Sequence, residues 1–331
     1  MNKMNVLSLF DGISCGQIAL ERAGIEVDNY FASEIDKYAI QVTQKNYPST
    51  VQLGDVTKVL AKDLPKIDLL TGGFCCQSFS FAGKQLNFND PRGKLFFECV
   101  RILQEIKEYN PNIKFLFENV KMKKEYSDII SEYLGVDFIQ INSSLVSAQN
   151  RVRNYWTNIN GVTTPNDKGI VIKDILESKK GEHFIVSEQG KCFKKGGEKS
   201  YCLLARDYKG FGNQGMSGVI GMATDIKGYD ILKRVYRVEG KAPTLTAVCG
   251  GNQEKKVAIS QFEYRKLTPL EYERLQNIPD NYSNCVSNTQ RYKQLGNGWT
   301  VDVISHIFSF LPKGENLSNS SGSKTTAFRP S

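Results

Sequence analysis

Histidine is nearly absent from this 331-residue chain, which has two histidines and eight cysteines, with no cysteine pair spaced as C-x-x-C. Zinc sites and haem attachment sites use such cysteine pairs together with histidines, so we expect no metal site. A disulfide framework is also not expected in a chain of this length. These absences predict reduced thiols and a cytoplasmic protein.

Long apolar runs are missing as well, because no stretch approaches the roughly 18 apolar residues that a membrane-spanning helix needs. Residues 1–5 lead directly into an apolar segment, without the charged-then-apolar pattern of a secretory leader. The sequence therefore predicts no membrane partner, and a monomer is the default expectation.

The composition is otherwise that of a globular protein, with 40% hydrophobic and 24% charged residues. The formal net charge is +8. A positive charge of this size favours an anionic partner such as nucleic acid, although many enzymes without such a partner are equally basic.

The first half of the chain alternates short apolar runs with amphipathic segments. Strands are predicted at 6–10, 30–33, 67–70 and 114–117, and helices at 16–23, 36–46 and 93–109. This alternation predicts an α/β domain with a mostly parallel sheet and helices on both of its faces.

The composition changes after Pro165, where the chain becomes rich in Gly, Lys and Arg. Short strands are predicted there at 218–221, 235–238 and 245–248, and helices return at 268–275 and 300–311. We expect a catalytic domain at 1–165 plus 290–312, a loop-rich lobe at 166–289 and a disordered tail at 313–331.

Three predicted strand ends carry groups suited to a nucleotide-like ligand. Gly12 and Gly16 lie between a strand and a helix, where glycine lets backbone approach a ligand closely. Glu34 follows about 20 residues later, the offset at which such sites place a carboxylate on ribose hydroxyls. Asp55 follows another strand-like run and can accept a hydrogen bond from an adenine amino group.

Cys76 is the candidate nucleophile, because a Gly-Gly pair after the strand at 67–70 presents this thiol beside Gln77. A buried, inert cysteine is the alternative interpretation. Glu118 follows the strand at 114–117 and is expected at the same sheet edge, where a partly desolvated carboxyl can have a raised pKa and donate a proton.

Arg151 and Arg153 alternate and would point the same way in an extended segment, although a solvated edge strand would give the same pattern.

The order of these pieces resembles the DNA cytosine-5 methyltransferase family over roughly residues 4–311. The matching segments are Phe10-Asp11-Gly12, Glu34, Asp55, Cys76-Gln77, Glu118-Asn119-Val120, Gln149-x-Arg151-x-Arg153, residues 265–276 and Gln294-Leu295-Gly296-Asn297-Gly298. The first loop and the segment 153–158 look more like the animal de novo methyltransferases and some phage enzymes than the commonest bacterial form.

The resemblance implies a Rossmann-like fold of the S-adenosylmethionine-dependent methyltransferases, with a smaller, loop-rich β lobe that recognises the target. It implies that the Cys76 thiolate adds to carbon 6 of a flipped-out cytosine, and that carbon 5 then receives the methyl group of S-adenosylmethionine. Glu118 would protonate ring nitrogen 3. Arg153 would contact the ring carbonyl oxygen and hold Glu118, with Arg151 nearer the phosphate backbone.

Binding residues follow from the same resemblance. The cofactor would contact Phe10, Asp11, Gly12, Ile13, Glu34, Ile35, Asp55, Val56 and Asn297. Double-stranded DNA would contact Gln77, Ser80, Arg206, Arg234, Arg237 and Thr246. Because Asn297 is far from Phe10 in sequence, the last helix must pack back beside the first strand. A restriction enzyme of the same system would be a further partner.

One departure from the family is Cys75, which occupies the position of a proline before the nucleophile. Proline fixes φ and stiffens a loop, so its loss can loosen the placement of the thiol. Two alternatives therefore remain open: a catalytically impaired DNA-binding homologue, and a tRNA cytosine-5 methyltransferase. The tRNA enzymes carry a Cys-Phe-Thr segment, which Cys192-Phe193-Lys194 breaks.

Overall fold

The computed structural model describes residues 3–74, 94–177, 193–195, 219–223, 226, 228–247, 253–258 and 264–312. Six residues discussed above lie outside this part of the chain: Cys75, Cys76, Gln77, Ser80, Cys192 and Arg206. The tail expected at 313–331 lies outside it as well.

A seven-stranded sheet forms the centre of the molecule, in the order β3-β2-β1-β4-β5-β7-β6. Its strands are β1 (Met4–Leu9), β2 (Val27–Ser33), β3 (Val51–Gln52), β4 (Leu69–Gly73), β5 (Lys114–Val120), β6 (Phe138–Asn142) and β7 (Val152–Thr157). All neighbouring strands are parallel except β7, which is antiparallel to β5 and β6. This topology confirms the predicted α/β fold with a mixed, mostly parallel sheet.

Helices cover both faces of the sheet. The α-helices of the described residues are α1 (Cys15–Ala23), α2 (Lys37–Asn46), α3 (Lys94–Tyr109), α4 (Lys124–Leu134), α5 (Asp230–Lys233), α6 (Pro269–Leu275), α7 (Asn288–Asn297) and α8 (Val301–Phe308). Of these, α5 contacts the smaller sheet described below. The spacing of Phe96, Cys99, Leu103 and Ile106 puts one apolar face of α3 onto the sheet, where all four side chains are buried. Each such large apolar side chain contributes about 1.5–3 kcal/mol of burial free energy.

A second, smaller sheet has five short strands in the order β12-β11-β10-β9-β8. They are β8 (Phe193–Lys195), β9 (Val219–Ala223), β10 (Arg234–Tyr236), β11 (Lys256–Ala258) and β12 (Tyr264–Lys266). Two of these strands overlap the runs predicted at 218–221 and 235–238. The division of the chain into domains stays a prediction.

The strand predicted at 245–248 is wrong for residues 245–247, which lie in no strand. Side chains from a segment distant in sequence form the backbone hydrogen bonds that a neighbouring strand would otherwise form there. The Leu245 N–H donates to the Gln149 side chain at 3.2 Å, and the Leu245 carbonyl accepts from Arg151 at 3.1 Å. With both backbone groups satisfied in this way, no sheet partner is required.

The α6 helix confirms the helix predicted at 268–275, and it begins with Thr268 as its N-cap and Pro269 at the first position. Glu271 completes the capping box and also receives two hydrogen bonds from Arg265, at 2.7 and 2.5 Å. Glu273 accepts from Arg291 at 2.9 Å, and both carboxylates are fully buried. Each buried charge of this segment therefore has its partner, and removal of one partner would leave an uncompensated buried charge.

The last two helices return to the start of the chain, which confirms the expected packing beside the first strand. Helix α8 contacts α1, and Arg22 pairs with Asp302 at 2.7 Å. The Tyr282 hydroxyl donates to the carbonyl of Ile13 at 2.8 Å. In the part of the chain that the structure describes, no helix combines the length and apolar character needed to cross a membrane.

Gly296 is where this returning segment comes closest to another backbone. A Cβ atom at position 296 would lie 2.2 Å from the carbonyl oxygen of Thr246. We therefore expect Gly296→Ala to lower the free energy of unfolding by about 3 kcal/mol, since backbone must move to relieve the overlap. Urea unfolding measures this change.

The control is Thr289→Ala, which introduces the same residue at an exposed position of the same helix. It should leave stability nearly unchanged, because alanine favours helices. Equal unfolding midpoints for the two variants would contradict the close approach at Gly296.

Candidate active site

The loop between β1 and α1 has an unusual backbone. Phe10, Gly12 and Ser14 have φ values of 55°, 61° and 57°, in the left-handed region. Residues other than glycine occupy this region at a cost of about 1–2 kcal/mol each, so the surrounding structure must hold them. The loop therefore depends on contacts beyond its own sequence.

Asp11 supplies those contacts. Its carboxylate accepts a hydrogen bond from the Tyr30 hydroxyl at 2.7 Å and another from the Ser14 hydroxyl. Burial raises the pKa of Asp11 from 3.8 to about 6, against the opposite effect of hydrogen bonds from Ser14, Ser8 and Tyr30. Gly16 makes room for this network, because a Cβ atom there would lie 2.9 Å from the Tyr30 hydroxyl oxygen.

Glu34, at the end of β2, is fixed by backbone donors. It accepts from the N–H groups of Gly12, Ile35 and Asp36, each at 2.8 Å. The first loop and the start of α2 are thereby joined through one carboxylate. Ile35 beside it is 76% exposed, so its apolar side chain is accessible to a ligand.

Asp55 lies beyond the next strand end, joined to β2 by the Ser33 hydroxyl, which donates to the carbonyl of Gly54 at 2.7 Å. Its Oδ1 accepts from the N–H and the hydroxyl of Thr57, at 3.0 and 2.9 Å. The backbone hydrogen bond and then the hydroxyl lower the pKa of Asp55.

The remaining predicted cofactor residues divide into buried and exposed groups. Ile13 and Val56 are buried, and Phe10 packs partly buried against the apolar cluster that contains Val56. Asn297 is exposed at the end of α7. The structure thus places apolar and carboxylate groups along adjacent strand ends of the same sheet.

Glu118 lies near the end of β5, directly opposite Gly73 of β4 in the sheet register. It is only 9% exposed. Its Oε1 is 2.9 Å from Nε of Arg153, and its Oε2 accepts from the Trp299 indole N–H at 3.1 Å. The sequence places Cys76 three residues after Gly73, so Glu118 and Arg153 are brought together at the strand end that leads to the candidate nucleophile.

Arg151 is placed differently from the expectation that it lies near DNA phosphates. It is 4% exposed and donates to the carbonyls of Leu245, Gly296 and Gly298, at 3.1, 3.2 and 3.1 Å. A guanidinium has five N–H donors in a fixed fork, which suits several backbone carbonyls at once. Arg151 is therefore a buried structural residue, and its hydrogen bonds fix the backbone that surrounds the site.

The described DNA-binding candidates lie at the surface. Arg234 and Arg237 are exposed at the two ends of β10, and the side chain of Thr246 is exposed where its carbonyl meets Gly296. Exposed basic residues are suited to phosphate contacts. Their role in DNA binding stays a prediction.

Two residues of this site were missed by the sequence reasoning, Trp299 and Tyr30. Trp299 directly follows the Gly296-Asn297-Gly298 segment and is one of two tryptophans in the chain, which is a signal that could have singled it out. Tyr30 occupies an ordinary strand position, and only the fold shows that its hydroxyl reaches Asp11.

Comparison with known proteins places this geometry in context. The sequence model of a family described as C-5 cytosine-specific DNA methylase matches residues 4–313. The type II methyltransferase M1.ScrFI of Lactococcus lactis subsp. cremoris is 32% identical, over 92% of this chain and 77% of that protein. M.NlaX of Neisseria lactamica, also named a type II methyltransferase, is 32% identical over 91% of this chain and 94% of its own.

Among solved structures, the Entamoeba histolytica methyltransferase EhMeth has a similar fold. Its TM-score is 0.67 at 18% identity, with coverage of 94% of this chain and 98% of that chain.

The raised pKa of Asp11 predicts a pH-dependent stability. The folded chain binds this proton more tightly than the unfolded chain, so the advantage of wild type over Asp11→Asn is greatest below about pH 4. This advantage should shrink as the pH rises through about 6. Urea unfolding of both proteins between pH 4 and 8 measures it, and a difference independent of pH would refute the assignment.

Proposed function

Because the chain belongs to the C-5 cytosine-specific DNA methylase family, we propose that it methylates carbon 5 of a flipped-out cytosine in duplex DNA, using S-adenosylmethionine and a covalent bond to Cys76. The chain is a DNA cytosine-5 methyltransferase by family. The observation that carries the detailed mechanism is the nearly buried Glu118, held on both oxygens at the strand end facing Gly73.

The residues present fit S-adenosylmethionine. Phe10 and the exposed Ile35 offer apolar surface for the adenine ring, and Glu34 and Asp55 offer carboxylate oxygens to the ribose hydroxyls and the adenine amine. Asn297 would contribute from the end of α7. When bound there, S-adenosylmethionine supplies an activated methyl group to carbon 5 of the base.

Carbon 5 of cytosine is too weak a nucleophile to accept a methyl group unaided. The Cys76 thiolate forms a bond to carbon 6, which places electron density on carbon 5. After methylation the proton leaves carbon 5, the bond to sulfur breaks and the ring regains its double bond. The base must leave the helix to reach these groups, at a cost of a few kcal/mol.

Glu118 and Arg153 act on the opposite side of the ring. Glu118 protonates or hydrogen-bonds ring nitrogen 3 and the exocyclic amine, which stabilises the charge that develops when the thiolate adds. Each carboxylate oxygen has two acceptor positions, so the bonds from Arg153 and Trp299 leave a position for the base. Arg153, ion-paired with Glu118, is suited to the ring carbonyl oxygen.

The exposed arginines of the smaller sheet support a contact with duplex DNA. Arg234 and Arg237 flank β10, and the chain carries a net charge of +8. The two relatives described above are named type II methyltransferases, which supports a restriction enzyme of the same system as a further partner.

Trapping on 5-fluorocytosine tests the proposal. Fluorine at carbon 5 cannot leave as a proton does, so wild-type protein with S-adenosylmethionine should form a denaturant-resistant adduct with duplexes that contain it. The adduct should persist in Cys75→Ser and disappear in Cys76→Ser, because only one of the adjacent thiols is the nucleophile. Gel electrophoresis under denaturing conditions measures the adduct.

Transfer of tritium from labelled S-adenosylmethionine to mixed duplex DNA or tRNA identifies the substrate. Label on tRNA alone would contradict the DNA assignment. Intact cofactor binding with no label on either nucleic acid would point to an impaired enzyme, in which Cys75 has disturbed the nucleophile loop.

A further inference from the structure

Trp299 connects two parts of the site that are far apart in sequence. Its indole N–H donates to Oε2 of Glu118 at 3.1 Å, while Arg153 lies 2.9 Å from Oε1. Each oxygen of the carboxylate therefore has its own donor. A carboxylate with two separate donors has a defined orientation, because rotation about its last bond would break both hydrogen bonds.

The indole ring of Trp299 packs directly against two glycines, and a side chain at one of them would collide with the ring. A Cβ atom at Gly73 would lie 2.9 Å from the indole nitrogen and 3.3 Å from Oε2 of Glu118. A Cβ atom at Gly16 would lie 3.8 Å from the far edge of the same ring. The indole therefore packs against both glycines, and Gly73 is the one at which a side chain would collide with it.

The backbone on both sides of Trp299 is also fixed. The carbonyl of Gly298 accepts from Arg151 at 3.1 Å and from the Gln276 side chain at 3.2 Å. The Thr300 hydroxyl donates to the Gln276 side chain and accepts from Ser143, both at 2.9 Å. Because the glycines beneath the ring and both neighbouring residues are fixed, the indole N–H of Trp299 has one defined direction.

We propose that Trp299 is a positioning residue that orients Glu118 for the proposed reaction on cytosine, and that it ties this orientation to the segment carrying Asn297. The inference rests on the proposed function of Glu118. Asn297, expected to contact the cofactor, is two residues before Trp299 in the same fixed turn. A fixed backbone in the segment that carries Asn297 therefore also fixes the orientation of Glu118, the group proposed to act on the base.

Trp299→Phe tests this role, because it keeps an aromatic ring and removes only the donor and part of the ring. We expect kcat for DNA methylation to fall about ten- to hundredfold, the value of one hydrogen bond to a charged group. The KM for DNA and the affinity for S-adenosylhomocysteine should stay within about twofold of wild type.

Trp156→Phe is the matched control. Trp156 is the second tryptophan of the chain, and its indole N–H donates to the Ser131 hydroxyl at 2.9 Å, away from Glu118. Because Trp156 is fully buried, this variant should lose thermal stability while its kcat stays within about twofold of wild type. Unchanged kcat in Trp299→Phe would overturn the proposal, as would a loss explained wholly by weaker cofactor binding.

Fluorescence provides a measurement that does not need catalysis. In the Trp156→Phe protein all indole emission comes from Trp299. Glu118→Ala in this background should shift the emission maximum, whereas Glu34→Ala should not, and the absence of a shift would overturn the contact. If the wild-type protein methylates no DNA, the proposed function is wrong. The fluorescence experiment still decides whether Trp299 contacts Glu118.

Discussion

The buried Arg151 guanidinium contacts segments that lie 94 to 147 residues further along the chain. Its hydrogen bonds to the carbonyls of Leu245, Gly296 and Gly298 hold a loop of the middle region against the turn between α7 and α8. A lysine could not reproduce this arrangement, because an ammonium group lacks the planar fork that reaches several acceptors. The turn held by Arg151 carries Trp299, and through it the orientation of Glu118 depends on Arg151.

The second requirement is that other groups pack directly against the backbone, and glycine allows this at three positions. Gly296 lets Thr246 come near, Gly73 accommodates the indole of Trp299, and Gly16 leaves room for the Tyr30 hydroxyl. The sequence pattern at Gly16 predicted an approach of backbone to a nucleotide-like ligand. In the structure this glycine also leaves room for the Tyr30 hydroxyl, which donates to Asp11 in the loop that follows the first strand.

Local patterns predicted the elements whose formation is local. The helices predicted at 268–275 and 93–109 appear in the structure as α6 and α3, because the capping of α6 and the apolar periodicity of α3 are set by neighbouring residues. Helix α7 was missed, since its sequence is mostly polar and its burial depends on partners such as Glu273 for Arg291. The strand expected near Leu245 failed for the same reason: Gln149 and Arg151 satisfy its backbone from a distant segment.

The donors around Glu118 differ in charge, and this difference bears on its chemistry. Arg153 compensates a negative charge that would be costly to bury alone. The indole N–H of Trp299 orients the other oxygen without adding charge. A neutral donor at this position therefore fixes the geometry of the carboxylate without placing a further charge beside it.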